Sequence, residues 1–175
     1  ERAIAVSGSD WGLGSNAIHM LDLIAYLAGS EAPELSCQGL DPAYRQSKRD
    51  GFLEITGTIR GRMGRCRAFS VSSYETAGVP ASTFIAADTC RIHIMEGNKE
   101  LEYAAASTGW EWKRERFDMP YQSQLTHLAA AELLTGGTCR LTTFEESGRL
   151  HRTLLRQLIP YFERQGVKAG LCPIT

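Results

Sequence analysis

The chain has 175 residues, of which 43% are hydrophobic and 22% charged, a composition typical of one soluble globular domain. Disordered, collagen-like and coiled-coil proteins are excluded. Nineteen Lys and Arg against 20 Asp and Glu give a net charge of −1, so no overall field attracts phosphate backbones or anionic membranes. No apolar run reaches the length of a membrane span. We therefore expect neither a nucleic-acid nor a membrane partner.

The cysteines form an odd set without the C-x-x-C or C-x-x-H spacing of a zinc site. They are Cys37, Cys66, Cys90, Cys139 and Cys172. Unpaired thiols are typical of a reducing compartment, which predicts a cytoplasmic location. His93, His127 and His151 lie on different predicted elements, so no metal site is expected.

The predicted elements begin with a short strand, Ala3–Val6. A glycine-bearing turn follows, and then a helix over 16–28, with Asn16 as the N-cap and Gly29 as the C-cap. The sequence opens at Glu1 without a Met, almost directly on this strand. We interpret the chain as a segment of a longer protein.

Strand patterns dominate the middle of the chain. They cover 35–40, 52–60, 65–74, 82–87, 90–95, 101–103 and 110–116. The links at 61–64 and 97–98 are typical of hairpin turns. Consecutive hairpins without intervening helices favour a mainly antiparallel sheet.

Two helices are predicted at the end of the chain. The first covers 120–135 and carries an apolar stripe of Leu125, Leu128, Ala129 and Leu133. The second begins with the capping box Thr143-x-x-Glu146, and Pro160 should kink or end it. The expected fold is therefore α+β: a large, mainly antiparallel, open-faced sheet with about three helices packed on one face.

Such a sheet has more apolar residues than three helices can cover. Leu53, Ile55, Ile59 and Ile92 are the examples. We therefore predict that a second copy of the chain covers the free face, which makes the protein a homo-oligomer.

The first helix is apolar nearly all round except for one polar stripe of Asn16, His19, Asp22 and Tyr26. Burying ionisable groups is costly unless they are paired, so this stripe either forms hydrogen bonds inside the core or lines a cleft. Because imidazole titrates near neutrality, His19 is the best acid/base candidate in the chain.

The turn before this helix favours the cleft. Gly8, Gly12 and Gly14 allow close approach of a ligand to the backbone, Asp10 offers a polar anchor and Trp11 a flat apolar one. Free N–H groups at the helix N-terminus add donors. This combination suits a sugar or polyol. The alternative is that the glycines only permit a tight strand-to-helix connection.

Other binding motifs are missing or weak. Gly12-Leu13-Gly14 lacks the third glycine and the βαβ setting of a dinucleotide-binding turn. The arginines of one hairpin, Arg60, Arg62, Arg65 and Arg67, lack the aromatic ladder of a nucleic-acid surface.

The stretch from Trp11 to Leu23, with its His19-x-x-Asp22-Leu23 step, resembles the start of the C-terminal domain of Gfo/Idh/MocA oxidoreductases. This family is named after glucose–fructose oxidoreductase, inositol dehydrogenase and rhizopine catabolism proteins. The order of strands and terminal helices extends the resemblance over most of the chain. It implies a dihydrodipicolinate reductase-like C-terminal domain, whose open sheet contributes the substrate pocket and the oligomer interface.

The resemblance also implies a partner domain. Members carry an N-terminal Rossmann domain that binds NAD or NADP, and this chain lacks both its glycine fingerprint and its Glu-Lys-Pro motif. Residues 1–175 are thus expected to be one substrate-binding and oligomerisation domain that binds neither cofactor nor metal by itself. The implied parent is an NAD(P)-dependent oxidoreductase acting on a sugar, sugar derivative or polyol, and the isolated chain is expected to be inactive.

In this comparison His19 is the catalytic residue, which moves the substrate hydroxyl proton during hydride transfer. The expected substrate-binding residues are Asp10, Trp11, Ser15, Asn16 and Asp22. Many members carry Asp four residues before the histidine, where this chain has Ser15. A hydroxyl cannot replace a carboxylate as a charge partner for imidazolium, so a non-catalytic sugar-binding or scaffolding domain is the alternative.

Overall fold

The computed structural model describes residues 1–30, 32–75 and 78–174. Within these ranges the strands are β1 (Arg2–Ser9), β2 (Glu34–Gln46), β3 (Leu53–Met63), β4 (Cys66–Tyr74), β5 (Ser82–Ala87), β6 (Cys90–Met95), β7 (Glu100–Ala105) and β8 (Lys113–Arg116). The α-helices are α1 (Leu13–Ala28), α2 (Gln122–Gly136) and α3 (Phe144–Arg164). The predicted order of elements is confirmed, although β2 continues to Gln46 instead of ending at Leu40.

All the strands belong to one sheet, in the order β2-β3-β4-β1-β5-β6-β7-β8. β1 is parallel to β4 and antiparallel to β5, and the other neighbouring strands pair antiparallel. The predicted α+β fold with a mainly antiparallel sheet is therefore confirmed. β2 is an edge strand and contains Pro42. Proline has no backbone N–H to donate to a neighbouring strand, and an edge strand tolerates this loss.

The core lies between one face of this sheet and two helices. α1 crosses β3, β4 and β1, and α3 packs on β2 and beside α1. Ile55 and Ile59 of β3 are buried beneath them, together with Leu21 of α1 and Leu158 of α3. The apolar faces of these elements thus form one cluster. Each Å² of buried apolar surface contributes about 25 cal/mol, so this burial is the main source of stability.

The residues that predicted a second copy lie on this helix-covered side. The register through β4, β1 and β5 shows that Ile59 and Ile92 lie on the same face of the sheet. Leu53 and Ile55 lie on that face too, because they alternate with Ile59 along β3. Leu53, Ile55 and Ile59 are buried by the chain itself. The chain itself therefore covers these three residues, whereas Ile92 of β6 is only partly buried.

The opposite face of the sheet is polar instead. Thr58, Ser72, Ser7 and Ser82 form one row across β3, β4, β1 and β5. The register explains this difference, because each strand places alternate residues on opposite faces and the apolar ones are those that meet α1 and α3.

α2 differs from the other helices because none of its described residues is buried. Its stripe was predicted to pack on the sheet, but Leu125 is 43%, Leu128 48% and Leu133 50% exposed. α1 and α3 therefore make most of the contacts with the sheet, and α2 remains largely exposed. Helical spacing identifies an apolar stripe, but it does not identify the surface that the stripe meets.

The ends of α1 and α3 are formed by different means. Gly12, at φ 77°, is the N-cap of α1, so Asn16 lies inside the first turn and the prediction that it caps the helix is wrong. The C-cap Gly29 is confirmed, with its N–H donating to the Ala25 carbonyl. Thr143 and Glu146 form the predicted capping box of α3, and the helix continues through Pro160 to Arg164.

The five cysteines are free, and burial raises the pKa of both Cys37 and Cys172 to about 11. Among the helices of the described ranges, none has the length and apolar character needed to cross a membrane.

Candidate functional site

The N-terminus of α1 is held by a carboxylate from a distant strand. Glu54 of β3 is 7% exposed, and its Oε1 accepts hydrogen bonds from the backbone N–H of Gly14 and, at 2.9 Å, from that of Ile55. Its Oε2 accepts the hydroxyl of Ser15 at 3.1 Å. A negative charge at this end of a helix is favourable, because unpaired N–H groups give it a partial positive charge. Glu54 thus replaces the side-chain cap that Gly12 cannot provide.

This arrangement corrects the prediction of free donors at the turn for one residue, Gly14. The N–H of Gly14 is already bound by Glu54, and a Cβ at Gly14 would lie 2.9 Å from the Glu54 Oε1. A Cβ at Gly8 would lie 2.7 Å from the Cα of Ala81. These two glycines therefore accommodate the protein's own atoms. Gly12 borders a cavity, and a Cβ there would lie 3.0 Å from Asn16 Nδ2.

That cavity, here called the basic cavity, has a volume of about 440 Å³. Its walls come from the turn before α1, the first turn of α1, and the β2–β3 connection with the adjoining ends of β2 and β3. The lining residues are Asp10, Trp11, Gly12, Ser15, Asn16, Arg45, Gln46, Ser47, Lys48, Arg49 and Glu54. Four of the predicted substrate-binding residues, Asp10, Trp11, Ser15 and Asn16, are therefore brought together.

The turn residues are fixed by contacts with the sheet. The indole N–H of Trp11 donates to the Ser72 carbonyl at 2.8 Å, and Asn16 Nδ2 donates to the Trp11 carbonyl at 2.7 Å. Asp10 forms a partly exposed ion pair with Arg45. Because the indole N–H is already used, Trp11 offers a ligand the flat surface of its ring, not a donor.

His19 lies in an adjoining cavity of about 200 Å³, here called the histidine cavity. Trp11 and Asn16 line both cavities. The His19 side chain is exposed, so of the two alternatives for the polar stripe, the cleft agrees with the position of His19. Glu96, on the turn between β6 and β7, is the carboxylate that lines the histidine cavity.

The polar stripe of α1 is divided between two places. Asn16 and His19 face the cavities just described, whereas Asp22 accepts a hydrogen bond from the Thr142 hydroxyl at 2.7 Å, near the start of α3. Tyr26 is 83% exposed beside the same segment. Asp22 borders neither the basic cavity nor the histidine cavity.

Sequence reasoning missed Glu54 and the cations Arg45, Lys48 and Arg49. Strand alternation places Glu54 on the polar side of β3, and no local signal connects it to a helix terminus 40 residues away. Gly12 is the residue from which a distant acceptor could have been predicted. A glycine N-cap has no side chain to accept the first N–H groups of the helix, so another residue must accept them.

Replacing Glu54 with glutamine is expected to lower the free energy of unfolding by about 1.5 kcal/mol, because the neutral amide loses charge-assisted hydrogen bonds and the interaction with the helix terminus. Urea denaturation followed by circular dichroism measures this loss. Glu111→Gln is the matched control, because Glu111 is exposed and its side chain has no hydrogen bond in the described part of the chain. Equal losses in both variants would contradict the assigned role of Glu54.

No family model matches the sequence, and no curated protein matches it. Among solved structures, the chain is similar to a dehydrogenase (MviM) from Clostridium difficile, with a TM-score of 0.60 and 13% identity over 91% of this chain and 53% of the other. It is also similar to a Gfo/Idh/MocA family oxidoreductase from Vibrio cholerae, with a TM-score of 0.55 and 12% identity over 94% of this chain and 53% of the other.

The chain thus spans about half the length of these structures. The TM-scores establish a shared fold, and at identities this low they establish the fold alone. This fold agrees with the resemblance found in the sequence. This chain therefore has the open-faced α+β fold of a domain found in oxidoreductases, the Gfo/Idh/MocA family among them.

Proposed function

We propose that the chain is the substrate-binding and oligomerisation domain of an NAD(P)-dependent oxidoreductase that acts on a sugar, sugar derivative or polyol. The observation that carries this proposal is the exposed imidazole of His19 in a cavity that shares Trp11 and Asn16 with the larger basic cavity. An acid/base group next to a polar pocket with an aromatic wall suits oxidation of a hydroxyl group. The fold shared with oxidoreductases supports the same conclusion.

The proposed chemistry of this chain is proton transfer. The His19 imidazole accepts the proton of the substrate hydroxyl as the carbon–hydrogen bond is oxidised, and returns it in the reverse direction. The Trp11 ring supports one face of the sugar, and Asn16 lies between the two cavities, where it can contact both the ring and the reacting hydroxyl.

The residues of this chain do not fit a dinucleotide at the glycine turn before α1. The Glu54 carboxylate occupies the N-terminus of α1, so a phosphate group would meet a negative charge there. We therefore assign the NAD or NADP, which would accept the hydride, to an N-terminal Rossmann domain of a parent protein. Coverage of only about half of each matched structure supports a second domain.

We further propose a homo-oligomer formed through the polar face of the sheet. Among the described helices, those that pack on the sheet, α1 and α3, do so on the other face. A cytoplasmic location is the related proposal, and the five free thiols support it.

The experiment that tests the function uses the parent protein encoded by the gene that contains this chain. Its coding sequence upstream of Glu1 should encode a Rossmann domain, and the purified protein should reduce NAD or NADP in the presence of a sugar or polyol from a broad panel. Absence of that domain, or absence of turnover with every sugar and polyol of the panel, would contradict the proposal.

A non-catalytic sugar-binding or scaffolding domain is the second candidate, and the observation in its favour is Ser15. Its hydroxyl donates to Glu54, so it provides no negative charge for an imidazolium at His19. A parent protein that binds sugars but never oxidises or reduces them would support this candidate.

A further inference from the structure

The charges around the basic cavity are unequal. Arg45, Lys48 and Arg49 line it against two carboxylates, Asp10 and Glu54, which leaves a net charge of +1. Asp50 follows Arg49 in the sequence but does not line the cavity. The wall contributed by the β2–β3 connection is therefore cationic.

Both carboxylates are already occupied by groups of the protein. Asp10 pairs with Arg45, and Glu54 accepts the N–H groups of Gly14 and Ile55 and the Ser15 hydroxyl. The side chains of Lys48 and Arg49 have no ion-pair partner in residues 1–30, 32–75 and 78–174. The unpaired charge of the cavity is thus concentrated on two neighbouring cations.

The position of Glu54 also decides where an anionic ligand group can bind. A helix N-terminus ordinarily attracts anions, but here the terminus of α1 is neutralised by Glu54. A ligand carboxylate or phosphate is repelled there and attracted to Lys48 and Arg49. A guanidinium and an ammonium group suit the oxygen atoms of either anion.

The rest of the cavity suits the neutral part of a sugar. Its volume of about 440 Å³ is within the range of small-molecule sites, and the Trp11 ring offers a flat apolar wall. Asn16 adds an amide that can contact hydroxyl groups.

We propose that the basic cavity binds a sugar that carries a carboxylate or phosphate, with its ring on Trp11 and its anionic group at Lys48 and Arg49. This inference rests on the proposed function and specifies the class of its substrate. Carboxylate and phosphate share the charge and the acceptor oxygens that the two cations recognise, and the test separates the two sources.

The test measures binding to the 175-residue chain by titration calorimetry without any cofactor. The probes are D-glucuronate, D-glucose 6-phosphate, neutral D-glucose and inorganic phosphate. We expect at least one of the acidic sugars to bind more tightly than both glucose and inorganic phosphate. In the double variant Lys48→Gln/Arg49→Gln, that acidic sugar should bind about tenfold or more weakly, because charge-assisted hydrogen bonds are lost.

Arg152→Gln/Arg156→Gln is the matched control, since it removes two charges from exposed residues of α3 that do not line the cavity. Equal weakening in both double variants, binding of inorganic phosphate as tight as that of the acidic sugars, or acidic sugars binding no better than glucose would each overturn the inference.

This measurement is independent of turnover. Lack of hydride transfer by the parent protein would remove the oxidoreductase proposal but leave a measured preference for acidic sugars intact. Conversely, a parent that oxidises neutral sugars, together with a chain that shows no preference for acidic ones, would overturn only the inference about substrate class.

Discussion

Substitution of His19 by alanine is expected to lower kcat of the proposed parent oxidoreductase about 100-fold to 10,000-fold, the usual contribution of a positioned general acid or base. The side chain is exposed and forms no hydrogen bond with the described residues, so its loss should change neither the fold nor the core. Sugar binding should persist, because Trp11 and Asn16 remain in both cavities. Steady-state kinetics, together with calorimetric binding of the same sugar, measure the two effects separately.

His127→Ala is the matched control for this experiment. His127 lies on α2, is exposed and lines neither cavity, so its removal should leave kcat unchanged. A His19 variant with the kcat of this control would remove His19 from the proposed mechanism. Loss of sugar binding in step with loss of turnover would indicate a role in binding instead of proton transfer.

Gly57→Ala is expected to lower the free energy of unfolding by about 3 kcal/mol or more. Gly57 lies in β3 opposite Leu40, with φ at 102°, where a side chain is already unfavourable. A Cβ there would lie 2.6 Å from both the Asp41 nitrogen and the Gly39 carbonyl oxygen. These are backbone atoms of the irregular β2 strand, so they cannot move aside as a flexible side chain can.

Gly51→Ala separates the contact from the backbone conformation. Gly51 also has a positive φ, of 79°, but no atom lies within 4 Å of its added Cβ. The free energy of unfolding of this variant should therefore decrease only by the cost of the left-handed conformation, about 1 kcal/mol. Urea denaturation of both variants measures the difference, and equal losses would contradict the steric argument.

The parts of the fold that follow from local pattern were predictable. The hairpins between β3 and β4 and between β6 and β7 are encoded by strand alternation and turn glycines, and the capping box of α3 is encoded by Thr143 and Glu146. The turn residues Asp10, Trp11, Ser15 and Asn16 line one cavity, as predicted, because they lie within seven consecutive positions of the sequence.

The parts that depend on distant contacts were not predictable. Asn16 has the side chain of a good N-cap, but the helix starts three residues earlier because Glu54, from another element, accepts the N–H of Gly14. Similarly, the packing of α1 and α3 decides which face of the sheet is covered. Leu53, Ile55 and Ile59 lie on the covered face. Alternation gives the two faces of a strand without saying which one is covered.

The central place of β1 has a consequence for synthesis of the chain on the ribosome. Its partners, β4 and β5, end at Tyr74 and Ala87, so Ile4 and Val6 emerge long before the strands that will flank them. At about 5–20 residues per second, this delay is several seconds. During that time β1 presents apolar side chains and unpaired edges to its surroundings, which makes this segment of the nascent chain a client for chaperones that bind extended apolar peptides.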